Sequence, residues 1–333
     1  MSLVTINDTN LKDIADAIRE KNGTTDTYNP SEMANAISNI ETGGGGITPE
    51  GTLDITENGN YDVTNYANAN VNVAGSGGGE NVYTPRWLKF TRCALEDLTV
   101  ETQNVDTSLI TDMESEFQYC EARALAPKFD VTNVTTMVNF MSNCGSLKTA
   151  DLSYLRESAV TTMEYFCYNN SGLQTLDMRN LSTPKLNNMS YMVAICGNLT
   201  SINVSSLITN KVSNMQSAFY KLPKLTSLDL SNFNTENVTN MQWMFNGDTA
   251  LTSLDLSSFY TPKLTNTKEM FKNCTSLMHI DMRNFVFTKV STYTTMFSGV
   301  PTNCEIIVKD DTAKSWITSK FTTLTNVKTV AEL

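Results

Sequence analysis

Apolar residues return to the same positions at a fixed interval through most of this chain. One unit has Leu225, Leu228, Leu230, Phe233, Met241, Met244 and Phe245, and the next has Leu251, Leu254, Leu256, Phe259, Thr267, Met270 and Phe271. A period of about 26 residues is typical of a solenoid, because each unit covers its apolar face only with its neighbours. The pattern therefore predicts a stack of similar units.

Each unit divides into an apolar stretch of strand type and a stretch with helical spacing. Met189, Met192, Val193 and Cys196 follow the i, i+3, i+4, i+7 rule, which places them on one face of a helix. The fold class predicted is therefore α/β: a solenoid of strand–loop–helix units, with the strands stacked in a parallel sheet and the helices outside. The helical segments begin at Met113, Met137, Met163, Met189, Met215, Met241, Thr267 and Tyr293.

The two ends of the chain depart from this period. We predict two short helices in 1–42, a glycine linker in 43–50, a small β module in 51–75 with a hairpin turn at Asn58-Gly59, and a second glycine linker in 76–80. An N-terminal cap and first repeat occupy 81–110, and regular repeats occupy 111–300. In 301–333 we predict a C-terminal cap with a strand at Ile306, a helix capped by Asp310 or Asp311, and a last strand at Val327 and Val330.

Charge and composition exclude several classes of protein. The net charge of −11 argues against nucleic acid as a partner, and residues 1–80 carry −9 of it, from 12 acidic and 3 basic residues. No stretch approaches the roughly 20 apolar residues that span a bilayer. The N-terminus lacks a basic start and an apolar core, so we expect synthesis in a cytoplasm without a signal peptide.

One polar column is the first candidate binding surface. Between the last two apolar residues of each predicted strand stand Asp151, Asp177, Asn203, Asp229, Asp255 and Asp281, and two residues further on stand Ser153, Arg179, Ser205, Ser231, Ser257 and Arg283. Stacked strands bring such a column to about 4.8 Å between neighbours. It is either a polar strip that binds a glycan, peptide or cation, or a hydrogen-bonding ladder that sets the register. His279 lies beside this strip and is counted with it, although by itself it is expected to be exposed and inert.

Aromatic and cysteine columns are the other candidates. Tyr165, Tyr191 and Trp243 share one column, where exposed rings would stack on a sugar or anchor a protein, or fold onto the adjacent repeat. Cys120, Cys144, Cys196 and Cys274 share another, which we interpret as a core ladder of free thiols. No catalytic set, metal site or cofactor motif stands out, so we expect a protein that is not an enzyme.

Two resemblances suggest a function. The repeat pattern L-x-x-L-D-L-S-x-F…N-V-T-N-M-x-x-M-F resembles the BspA-type leucine-rich repeat over about residues 95–300 and implies a binding module of adhesin type. Residues 1–75 resemble attachment segments of phage and prophage tail-fibre and baseplate proteins from Gram-positive hosts. The stretches that carry this resemblance are TINDTNLKDIADAIREKNGTTDTYNPSEMANAISNI and GTLDITENGNYDVTNYANANVNVAG.

Together the resemblances favour a virion tail-fibre or baseplate protein. Residues 1–75 would dock to other tail or baseplate proteins and form a homo-oligomer, with a trimer favoured, and the solenoid would bind a host-surface glycan or protein. No membrane insertion is expected. A bacterial surface adhesin and a purely structural virion protein that braces its neighbours remain alternatives.

Overall fold

The fold is described from a computed structural model of the chain. The structure describes residues 107–333 and, before them, only the backbone of four strands. These are β1 (Val4–Ile6), β2 (Thr52–Ile55), β3 (Asn68–Asn70) and β4 (Asp97–Leu98). Strands β1, β2 and β3 pair in parallel, in that order. The predicted N-terminal helices, hairpin turn, glycine linkers and N-terminal cap lie outside the described residues.

Residues 107–333 form a parallel β-solenoid in which each coil is one period of the sequence. Its strands are β5 (Ala124–Leu125), β6 (Thr149–Asp151), β7 (Cys167–Tyr168), β8 (Thr175–Asp177), β9 (Val193–Ala194), β10 (Ser201–Asn203), β11 (Ser253–Asp255), β12 (His279–Asp281), β13 (Glu305–Val308) and β14 (Val327–Thr329). The register of strand pairing confirms the period of the sequence, because Thr149 pairs with Thr175 and Thr175 pairs with Ser201. A solenoid of stacked repeats, predicted from the apolar columns, is thus confirmed.

Two ladders run along the solenoid. The first is the strand face, split into a five-stranded sheet (β10-β8-β6-β5-β4) and a four-stranded sheet (β11-β12-β13-β14). The split falls at Leu228, whose predicted strand is not formed as a regular one. The second ladder is continuous: single parallel bridges join the residue before each helical-type segment, at Asp112, Thr136, Thr162, Asn188, Asn214, Asn240, Asn266 and Thr292.

The prediction of a helix in every unit is wrong. Among the described residues the α-helix is α1 (Asp311–Lys320), and the segments with helical spacing are pairs of β-turns. In the segment starting at Met137, the amide of Phe140 donates to the carbonyl of Met137, while the amides of Met137, Asn139 and Met141 donate to the next coil. Since these amides bond between coils, they cannot make the i to i−4 bonds of a helix.

These turn pairs bury the same side chains that a helix would have buried. Met189, Met192, Val193 and Cys196 are all fully buried. The backbone of each turn pair depends on two residues in the left-handed conformation. They stand two and six positions after the first residue of the segment. At the sixth position Gly247 and Gly299 occupy this region without strain, whereas the other coils place Asn, Tyr, Ile or Lys there.

The core between the ladders is a set of stacked columns. Phe219, Phe245, Phe271 and Phe297 stack coil on coil, with ring centroids 5.3 to 6.2 Å apart. The described cysteines are all buried, which confirms the interpretation of their column as a core ladder. Burial raises the pKa of the Cys144 thiol to about 12, so it packs as a small neutral side chain.

Strand, helix and strand follow the last regular coil, as predicted. After β13, Asp310 caps α1 by accepting a hydrogen bond from the amide of Ala313 at 3.1 Å. Ala313 and Ile317 pack on the core, and β14 then pairs with β13. Trp316 stacks on Phe287 at 4.5 Å, which covers the apolar end of the last coil.

Candidate functional site

The acidic column lies in register along the strand face. Asp151 pairs with Asp177, which pairs with Asn203, and Asp255 pairs with Asp281. In every one of the six coils, Oδ1 of the Asp or Asn accepts a hydrogen bond from the backbone amide two residues on, at 2.9 to 3.1 Å. Each of these side chains therefore begins the turn that follows it, which is a structural role.

The charge of this column is partly balanced in place. Arg179 and Arg283 form ion pairs with Asp177 and Asp281 of their own coils. The Arg179 side chain holds the pKa of Asp177 below its usual range, and hydrogen bonds from the amide and side chain of Ser231 do the same for the pKa of Asp229. These contacts favour the ladder interpretation, and ligand binding by Asp151, Asp229 or Asp255 stays a prediction.

His279 is half-buried and has a partner, whereas the sequence led us to expect an exposed and inert side chain. Its Nδ1 lies 2.9 Å from Oε2 of Glu305 on the adjacent strand, and Nζ of Lys328 lies 2.6 Å from Oε1 of the same carboxylate. The sequence did not reveal this group, because its three members belong to three different strands and lie far apart along the chain. The group ties the last strands together at the exposed face.

Tyrosines form a cluster on the turn-pair face. Tyr165 and Tyr191 stack at 4.9 Å with an angle of 15° between the rings, and Tyr168 meets them edge-on at 5.1 and 6.2 Å. All three are half-buried. We name Tyr165, Tyr168 and Tyr191 the tyrosine patch. Tyr168 was not singled out from the sequence, although its position three residues after Tyr165 was a signal.

One amide side chain contacts the tyrosine patch, and others follow it in neighbouring coils. Nε2 of Gln216 donates to the Tyr191 hydroxyl at 3.2 Å, and Nδ2 of Asn188 lies 3.4 Å from Oε2 of Glu164. In the following coils Asn240 donates to Asn214 and to Gln216. The stacked rings present an apolar face, and the amides and the carboxylate provide hydrogen-bond donors and acceptors.

Trp243 does not belong to this patch. It occupies the same column as Tyr165 and Tyr191, but Ser217 separates it from them. A Trp243 hydrogen bond contributes to the lowered pKa of Glu269, after the larger contribution of Lys272. The shared column therefore does not bring the three predicted aromatic residues together.

A shallow cavity of about 610 Å³ opens at another corner of the solenoid. The residues that line it are Thr132, Arg156, Glu157, Asn180, Ser182 and Ser206. Within residues 107–333, no group of three or more His, Cys, Asp or Glu side chains has the geometry to hold a metal ion. No helix in that part of the chain is long and apolar enough to cross a bilayer.

The in-register columns define a class: a repeat protein with a parallel β-solenoid fold. Comparison with protein families then identifies it more closely. The family described as "Mycoplasma protein of unknown function, DUF285" matches residues 89–203 and 187–310, about two thirds of the chain. The chain belongs to this family, which is compatible with a repeat protein of BspA type. Among curated proteins, none matches this chain.

Proposed function

We propose that this chain is a phage or prophage tail-fibre or baseplate protein whose solenoid binds a host-surface glycan. The observation that carries the binding function is the tyrosine patch with its neighbouring amides. The virion assignment is supported by the resemblance of residues 1–75 to tail attachment segments. The repeats are of the BspA leucine-rich type in this proposal, with a turn pair in place of the usual helix.

The physical reason for preferring a glycan lies in the chemistry of the patch. Tyr165 and Tyr191 are stacked and half-buried, so their rings are held in place before a ligand arrives. Gln216 supplies an amide fixed against the Tyr191 hydroxyl, and Asn188 is hydrogen-bonded to Glu164, the residue before Tyr165. An apolar face with adjacent planar amides complements a sugar, which has a C–H face and a rim of hydroxyl groups.

Exchange of the two stacked rings tests the binding site. Tyr165→Asn with Tyr191→Asn places at both sites the residue that Asn139 already provides in the same column, at the same left-handed conformation. Binding of the full-length chain to Gram-positive cells and to purified wall polysaccharide is measured by fluorescence. We expect roughly tenfold weaker binding, since each aromatic contact contributes about 0.5–1.5 kcal/mol.

Two other exposed tyrosines provide the matched control. Tyr154 and Tyr260 are 50% and 52% exposed, and their columns hold Asn in other coils, at Asn180 and Asn234. Tyr154→Asn with Tyr260→Asn should therefore bind as the native chain does. Equal losses in both double variants, or no binding by the native chain, would contradict the proposal and favour a bracing role.

The family match supports a second candidate, a bacterial surface adhesin. The description of the family names a bacterium, Mycoplasma, and not a virus. Immunogold labelling separates the two candidates. Label on tail structures of purified particles supports the virion protein, whereas label confined to the surface of intact bacterial cells supports the adhesin.

A further inference from the structure

A column of lysines lies along one corner of the solenoid, away from the acidic strand face. Lys185, Lys211, Lys263 and Lys289 stand at the same position in their coils, with Asn237 in the coil between. All four lysines are exposed. We name these four residues the lysine column.

Local structure explains why each lysine points outward. Each is the third residue of a β-turn closed by a backbone hydrogen bond, in residues 183–186, 209–212, 261–264 and 287–290. Pro184 and Pro262 stand at the second position of two of these turns, where proline's fixed φ suits the turn. The residue at the third position of such a turn is displayed at the corner of the coil.

The coils are held in register beside these turns. Two residues after Lys263, the amide of Thr265 donates to the carbonyl of Thr239 in the preceding coil at 2.9 Å. Buried threonine hydroxyls before the turns add bonds between coils, such as Thr235 Oγ1 to the Tyr260 carbonyl at 2.9 Å. Lys263 Nζ reaches Asn237 Oδ1 at 2.6 Å, so residues of this column meet across consecutive coils.

The lysine column has little acidic charge near it. None of the four lysines forms an ion pair with a carboxylate of residues 107–333. Within three residues on either side of the column, in all five coils, Glu236 is the single acidic residue in the sequence, and Glu157 lies at one end of the column, where it pairs with Ser182. Like charges spaced by roughly 5 Å, or roughly 10 Å across the coil of Asn237, repel one another, and a bound anion would relieve this repulsion.

We propose that the lysine column binds a linear phosphodiester polymer of the bacterial envelope, lying parallel to the solenoid axis. The column is one side chain wide and roughly 19 Å long, which fits one extended chain of anionic groups. All four cations are lysines, which bind phosphate oxygens as compact point charges, whereas carboxylates are better matched by the arginine fork.

The shape of the column also argues against nucleic acid. A duplex presents two strands of phosphates to a broad basic surface, and a single strand is bound by stacking bases on successive aromatic side chains. Tyr260 is the single aromatic residue exposed within three positions of the column. The proposed polymer contact is separate from the tyrosine patch and does not depend on glycan binding there.

The test measures binding of the full-length chain to poly(glycerol phosphate) at 50 and 200 mM salt. Four contacts predict binding about 50-fold weaker at the higher salt, from the release of counterions. The quadruple variant Lys185→Gln, Lys211→Gln, Lys263→Gln, Lys289→Gln should lose at least tenfold in affinity at 50 mM and most of the salt dependence.

A second quadruple variant has the same change in net charge at four other lysines. It carries Lys148→Gln, Lys221→Gln, Lys224→Gln and Lys309→Gln and should retain the native affinity within about twofold. A loss as large as that of the lysine-column variant would overturn the proposal, because attraction would then depend on net charge alone. Equal or tighter binding of single-stranded DNA would also overturn it, and so would no polymer binding by the native chain at 50 mM salt.

Discussion

Single residues in this solenoid are constrained by the residue at the same position one coil away. Asn170 shows this: its Oδ1 accepts from the Cys144 amide and its Nδ2 donates to the Met141 carbonyl, both at 2.7 Å. Three coils later Asp248 occupies the same position and accepts from the Leu222 amide at 2.7 Å. Its second oxygen is buried without a hydrogen-bond partner.

Asp248→Asn should stabilise the chain at neutral pH, because Asn provides the donor that Asn170 uses at this position. Burial raises the pKa of Asp248 well above its usual range. Between the unfolded and the folded pKa the folded state binds one more proton, so the free energy of unfolding falls as pH rises through that window. The gain from Asn should therefore grow with pH.

Urea unfolding at several values between pH 5 and 8 measures this. The difference in free energy of unfolding between the variant and the native chain should increase by up to about 1.4 kcal/mol per pH unit within the window. Asp255→Asn is the control, since the pKa of this exposed carboxyl is lowered by Ser257. If the difference in free energy of unfolding between Asp248→Asn and the native chain stayed constant across this pH range, it would contradict the prediction that Asp248 is buried as a neutral acid.

Gly172→Ala should destabilise the chain, because two backbone carbonyls occupy the space of the new methyl group. A Cβ at this position would lie 2.5 Å from the Gly145 oxygen and 2.9 Å from the Leu147 oxygen. Overpacking of this kind costs about 1–3 kcal/mol. Gly197→Ala is the matched control, as its Cβ would meet nothing within 4 Å. Thermal unfolding followed by circular dichroism should show a lower Tm for Gly172→Ala alone.

At the scale of elements, the turn pairs and α1 satisfy the hydrogen bonds of their backbone amides in different ways. In a turn pair, alternate backbone amides bond to the next coil and the others close the turns. In α1 the bonds are internal, so the first amides need a cap, which Asp310 provides. The C-terminal helix therefore needs a polar capping side chain, which the turn pairs do not.

Asp310→Ala should weaken the C-terminal end of the solenoid. Loss of the bond to the Ala313 amide costs about 1 kcal/mol, as for other N-cap residues. Asp310→Asn should restore most of this, because asparagine caps nearly as well. Hydrogen exchange of the α1 amides is the measurement. Unchanged protection in Asp310→Ala would show that packing of Ile317 on the core, and not the cap, holds the helix.

At the scale of the whole molecule, stability is expected to be a sum over neighbouring coils. Each coil bonds to the coil before and the coil after it through the continuous ladder of single bridges, and most coils also pair through the strand face. Phe245, for example, stacks on Phe219 and Phe271 of the adjacent coils. An architecture of this kind tolerates a change in the number of coils if the period is kept.

Deletion of residues 225–250, one full period, should leave a folded and shorter solenoid. The deletion joins Lys224 to Leu251, which continues the same apolar column, so all later side chains keep their orientation. Small-angle scattering should show a molecule shorter by roughly 5 Å, and thermal unfolding should stay cooperative. Deletion of residues 225–237, half a period, turns core columns outward and should abolish folding. A folded half-period variant would refute the register described here.

Much of the fold could be predicted from sequence alone, but the candidate site could not. The apolar columns predicted the period, the parallel stack and the closing strand–helix–strand of the C-terminus. The tyrosine patch was only partly predicted, because Tyr168 joins it and Trp243 does not. A shared column specifies the distance between coils, but contact also depends on what stands in the intervening coil, as Ser217 shows.

The sequence by itself determined which side chains are buried and how often they recur, since burial follows from the apolar pattern. The tertiary structure decided the backbone that buries them. The pattern of Met189, Met192, Val193 and Cys196 is equally compatible with a helix and with a turn pair, because both place these side chains on one side. The hydrogen-bond partners of the backbone amides distinguish a turn pair from a helix, and these partners lie a whole coil further along the sequence. The amide of Met189, for example, donates to the carbonyl of Asn214. Hydrogen bonds over that distance leave no local signal.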